Sequence, residues 1–364
     1  MNSLNQTETK REDKSDKEII KMLQEKVTFL EEQFNKKINE LEAKICEMDK
    51  KYNNEINNNI AILTYETLNE NEKIQIINYN NCRTKDKIIL IDLEENKKIN
   101  DCTYLFANKG KHQIMMIIIN KIEDFSKMFK NCSRLIGIRG NIDVSNGKDF
   151  SEMFYGCESL FDIEQLKNWN VSKGHNFIYM FHGCKSLSNI KSLENWNVGN
   201  GNRFSFMFGN CTSMSDIKPL ENWDVSNGRN FNGMFTDCYS LSDIKPLKNW
   251  DVSRGDFLGY IFMNCHSLSD ITSLENWNVN YVTKFNQMFY DCYSLSNIKP
   301  LENWNVSNGN NFCEMFSGCK SLSDIKPLEN WNVSNGNNFS RMFSGCKLIK
   351  DMKPLSKWNV NKWD

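Results

Sequence analysis

The sequence predicts a repeat solenoid of 27-residue coils, each with one short strand and one short helix, behind a coiled-coil helix and a β-rich cap. Three observations carry the prediction. Cysteines recur from Cys157 to Cys346 at intervals of 27 residues, after a first step of 25 from Cys132. Trp169 to Trp358 and Val171 to Val360 hold the same interval, and self-similarity of this period marks a stacked array. Before the array, Ile20, Leu23, Val27, Leu30 and Phe34 step by three and four, the spacing of a coiled-coil seam.

The elements follow in chain order. Residues 1–18 are polar and charged and read as a disordered tail. Residues 19–49 read as the coiled coil, about four heptads with a stutter between Phe34 and Ile38, and so as a site of homo-oligomerisation. The Asn-rich stretch 50–59 is a linker. Residues 60–124 read as a β-rich cap, with β-branched runs at Lys73–Ile77, Lys87–Leu93 and Gln113–Ile119. A stacked array needs such a cap because its first coil would otherwise expose an apolar face. Residues 125–364 are the repeats.

One coil shows the local logic. Phe339, Met342, Phe343 and Cys346 sit at i, i+3, i+4 and i+7, one face of a helix. The residue before each repeat cysteine from Cys157 onward is Gly, Asn or Asp, types that enter left-handed backbone, so the helix should stop there. Further on, Asp324-Ile325-Lys326 and Trp331-Asn332-Val333 both alternate as a strand does. Pro219, Pro246, Pro300, Pro327 and Pro354 share one repeat position. A proline cannot donate to a ladder, which favours the Asp-Ile-Lys segment as the strand.

Composition excludes several functions. Net charge is -1, from 45 basic and 46 acidic residues, without the basic excess of a nucleic-acid binder. No run approaches the ~20 apolar residues of a membrane span. The polar Met1–Glu18 stretch lacks a secretory core, which leads to the expectation of a cytoplasmic protein with reduced thiols. The four histidines stand in no metal spacing or nucleophile motif. A stack offers one thiol per coil, in file about 5 Å apart rather than in a tetrahedron, so the cysteines read as buried apolar side chains and not as zinc ligands. The tryptophans, fixed within an apolar set, read as core. No enzyme, cofactor or metal site is expected.

The string Met-Phe-x-Gly-Cys-x-Ser-Leu, followed by Trp-Asp/Asn-Val-Ser and a Phe before the next Met-Phe, resembles the BspA-like leucine-rich-repeat surface proteins over residues 125–360. The resemblance implies a leucine-rich-repeat-like coil and a binding role, as an adhesin on a cell or virion surface. The residues themselves lead to a non-enzymatic scaffold inside the cell that binds a protein partner. Both readings stay open.

Fixed positions describe the scaffold, and varied positions are where specificity can sit. Just after the cysteine stand Tyr239, His266 and Tyr293 in three consecutive coils, and two before it stand Met263 and Tyr290. Tyr260 lies on the same turn as Met263. Stacking should join these into an aromatic strip, the candidate ligand surface.

Overall fold

A computed structural model describes residues 59–78, 87–119 and 121–358. The expected tail and coiled coil, and the linker up to residue 58, lie outside the described residues.

The chain first builds a five-stranded antiparallel sheet in the order β4-β3-β6-β1-β7. Its strands are β1 (Asn59–Thr67), β3 (Ile88–Asp92), β4 (Lys97–Ile99), β6 (Gly110–Ile118) and β7 (Leu135–Ile142). A two-stranded sheet pairs β2 (Glu72–Gln75) with β5 (Thr103–Phe106). In β1 the pleat sends Ala61, Leu63 and Tyr65 inward, all without exposed surface. β7 lies inside the first repeat, just after Cys132, and pairs with β1 on one side. On its other side Gly137 bridges in parallel to Asp162 of the next coil. One strand thus belongs to both the sheet and the repeats.

The expected coil of strand plus helix is not what the chain builds. Among the described residues there is no α-helix, and after β7 the coils hold no strand longer than isolated bridges. The Phe-x-x-Met-Phe segment is instead a run of tight turns. Along Phe177–Cys184, Met180, His182 and Cys184 donate back three residues, to Phe177, Tyr179 and Phe181. The alternate amides, on Phe177, Tyr179, Phe181 and Gly183, donate across to the next coil, at 2.8–2.9 Å. A helix is impossible because two positions per coil are left-handed, here Tyr179 at φ 57° and Gly183 at φ 75°. The i, i+3, i+4, i+7 spacing survives because this paired turn also repeats every four residues, so Phe177, Met180, Phe181 and Cys184 all face the core.

The Asp-Ile-Lys segment is not a strand either. Asp324 Oδ1 accepts the amide of Lys326 at 2.8 Å, and the chain then enters a short 3-10 turn at Lys326–Leu328 with proline in its first positions. An Asx bond of this kind offers the backbone an alternative to a ladder. Comparable turns recur from Glu164–Asn168 to Lys353–Leu355.

The coils stack by repeating identical contacts. Each Trp Nε1 from Trp196 onward donates to a Leu carbonyl of the preceding coil, as Trp250 does to Leu220 at 2.9 Å. Each Cys Sγ from Cys157 onward donates to a Phe carbonyl of the preceding coil, as Cys238 does to Phe208 at 3.2 Å. Phe150, Phe177 and Phe204 stack face to face at 5.6 Å. Trp169, Trp196 and Trp223 do the same at 6.4 Å. Asn200, Asn227, Asn308 and Asn335 each pass a side-chain N–H to a carbonyl of the coil before, at 2.6–2.7 Å.

Candidate interaction surface

The wall of tight turns carries the varied positions. The residue before each repeat cysteine is left-handed, as Asn264 (φ 59°) and Asp291 (φ 52°) are; the cysteine that follows is buried, and the side chain after it, as at Tyr239, reaches the surface. His266 and Tyr293 are pinned by amide bonds to the carbonyls of Asn264 and Asp291, both 2.9 Å. Register between coils is held by serines. Ser267, Ser294 and Ser321 donate to the carbonyls of Tyr239, His266 and Tyr293 at 2.7–2.9 Å.

The result is a stack of rings. Tyr239 and His266 lie 4.8 Å apart at 11°, and His266 and Tyr293 lie 4.3 Å apart at 9°. Lys320, at the same position one coil on, caps the column with its Nζ 3.6 Å from the Tyr293 ring centre. Two carboxylates border it. Asp237 accepts a bond from Asn264 Nδ2 at 2.6 Å, and Asp291 accepts one from the Tyr293 hydroxyl at 3.3 Å. Desolvation first, and then the charge of Asp237 or Asp291, holds the phenols of Tyr239 and Tyr293 above their ordinary value.

The other three candidates lie elsewhere on the wall. Met263 and Tyr290 occupy neighbouring coils two residues before the cysteine, both half-buried. Tyr260 belongs to a second cluster that the sequence reading misses. Tyr155 stacks on His182 at 5.2 Å, and Tyr179 stacks on Phe206 at 5.0 Å. Phe206 reaches Tyr260 at 6.4 Å, two coils away. Gly233 (φ 61°) makes that reach possible, because a Cβ there would collide with the Phe206 ring. His182 Nδ1 is buried in this cluster without a hydrogen bond, and burial lowers the imidazole pKa, opposed by Asp237. The signal was present, since Tyr179, Phe206 and Tyr260 share one repeat position. On the expected helix that position faces water and carries no structural demand.

Among the described residues no group of three or more His, Cys, Asp or Glu is placed to hold a metal ion. No helix among them is long and apolar enough to cross a membrane.

Four overlapping segments, 100–219, 161–273, 188–297 and 258–364, match a family model described as Mycoplasma protein of unknown function, DUF285. The chain belongs to the DUF285 family. The DUF285 matches together run from residue 100 to residue 364 and contain every coil described above, so both aromatic clusters lie within DUF285 repeats. No curated protein and no solved structure matches the chain.

Proposed function

We propose that these DUF285 repeats form a non-catalytic scaffold that binds a protein partner through the wall of tight turns. The ring column Tyr239–His266–Tyr293 is the observation that carries the reading. Aromatic side chains, at positions the core does not need, are concentrated where a partner would remove them from water. Tyr239 remains 41% exposed although His266 stacks against one face of it.

The test replaces Tyr239, His266 and Tyr293 together by Ser, the residue that the first repeat carries at this position as Ser133. The full-length triple variant should keep its unfolding midpoint and lose affinity for a captured partner by about tenfold or more. Unchanged affinity in a folded variant overturns the reading. The same surface suits a cytoplasmic partner or, as the BspA-like motif suggests, a host or matrix protein met at a cell or virion surface. Biotinylation of intact cells separates the two settings.

A further inference from the structure

The ring column is asymmetric. At one end the Lys320 ammonium lies over Tyr293. At the other end the equivalent position of the preceding coil holds Thr212, whose hydroxyl donates to the Lys185 carbonyl at 3.4 Å. The short threonine leaves the outer side of Tyr239 uncovered by any ring or ammonium group among the described residues. Beside that ring stands Asp237, half-buried, bonded to Asn264, and with no basic side chain within ion-pair distance among the described residues. Two glutamates of the same wall are neutralised, whereas Asp291, at the position of Asp237 two coils on, meets only the Tyr293 hydroxyl among the described residues. Glu152 pairs with Lys127 at 3.6 Å and with Lys130, and Glu314 pairs with Arg341 at 3.8 Å.

We infer that Tyr239 and Asp237 form a seat for a cationic side chain, and that the partner presents a basic, arginine-bearing segment to this end of the column. The inference rests on the proposed binding role of the wall. A ring face attracts a cation through its quadrupole, and an adjacent carboxylate adds charge and direction. Arginine suits the seat better than lysine, because a planar guanidinium can stack on a phenol ring while its edge donates to the carboxylate. Lys320 on Tyr293 is the same contact made within the chain. Asn264 already holds one oxygen of Asp237, which fixes the carboxylate without neutralising it.

The repeats supply substitutions that the fold already accepts. Asn occupies the Asp237 position as Asn210 and Asn264, Thr occupies the Tyr239 position as Thr212, and Lys occupies the Thr212 position as Lys185 and Lys320. Fluorescein-labelled peptides of alternating Arg and Gly, Lys and Gly, or Glu and Gly would be titrated with the full-length protein and followed by anisotropy. The arginine peptide should bind most tightly and the glutamate peptide not at all. Asp237→Asn and Tyr239→Thr should each weaken arginine-peptide binding about fivefold. Thr212→Lys should abolish it by placing a cation in the seat. Equal binding by all three peptides, or arginine binding indifferent to all three variants, overturns the inference. If the Ser triple variant loses its captured partner while the arginine peptide never binds, the scaffold stands and the cation seat falls. If the peptide responds to Asp237→Asn while the triple variant keeps its captured partner, the seat stands and the scaffold reading falls.

Discussion

The repeat cysteines each sit in two constraints at once. From Cys157 on, the thiol fills a core gap and spends its proton on a neighbouring carbonyl, at 3.0–3.3 Å along the column. Burial pushes these thiols up; for Cys238 and Cys265 the shift is large, and Cys346, at the end of the column, is raised to a pKa of about 11. In native protein, alkylating reagents should therefore label Cys102 and Cys313, both half-buried, and spare the column, with Cys346 the first of its members to react. Mass spectrometry after brief labelling reads this directly; rapid labelling of Cys238 would contradict it. The same shifts set a pH dependence. The folded chain holds its thiol protons above the ordinary value of 9.0, whereas the unfolded chain releases them near it. Stability from this source is therefore complete below about 9 and falls as pH rises further. That cysteine is a small core residue is legible from its spacing and company. Its hydrogen bond is not, because the acceptor lies in another coil, about 30 residues away in sequence.

The tight-turn wall is the element the sequence misrepresents. Apolar spacing reports which side chains face inward, and a helix and a four-residue paired turn give the same answer. The left-handed residue before each cysteine is legible, since Gly, Asn and Asp favour it. The second left-handed position is not, because Lys127, Glu152, Tyr179 and Phe206 occupy it and none of them prefers that backbone. Such residues cost roughly 1–2 kcal/mol each in this conformation. The cross-coil amide bonds hold them there, as Tyr179 N–H to the Ser205 carbonyl does at 2.9 Å. Gly183 isolates the backbone contribution, because a Cβ there meets only ordinary contact, at 3.5 Å from the Gly156 Cα. Gly183→Ala should lower unfolding free energy by about 1–2 kcal/mol, and Gly183→Asn by clearly less. Denaturant titration measures both; an alanine variant as stable as wild type would rule out the left-handed requirement. The same blindness hid the Tyr155–His182 and Tyr179–Phe206 pairs, which exist only once the wall is a turn and not a helix. Tyr239, His266 and Tyr293 were legible because their register survives any coil geometry that keeps the period.

At the scale of the molecule, the joints between coils are near-copies, and the joint to the sheet is not. Trp, Cys, Phe and Asn make the same bonds from coil to coil, so stability should be nearly additive in nearest-neighbour contacts. Excising residues 312–338, one full period, joins Lys284–Asn311 to Phe339 in the same register. The shortened chain should still unfold cooperatively, with a denaturant slope reduced roughly in proportion to the lost surface. Excising residues 125–149 should instead destroy the cooperative transition, because β7 goes with it, β1 loses one of its two partners and the sheet loses the strand it shares with the coils. Two similar transitions would show that the sheet is not built into the stack. The period made the array legible; nothing in it announces that the first coil lends a strand to the sheet. The asparagine ladder carries a last consequence, for how the protein ages. Asn200, Asn227, Asn308 and Asn335 each precede glycine, the pairing most prone to spontaneous deamidation, and each uses its amide N–H to grip the coil before. Hydrolysis of that amide leaves a carboxylate facing a carbonyl, turning an attraction into a repulsion. Chemical wear at one asparagine then falls on the joint between two coils, and the structure comes apart along the same seams by which it was assembled.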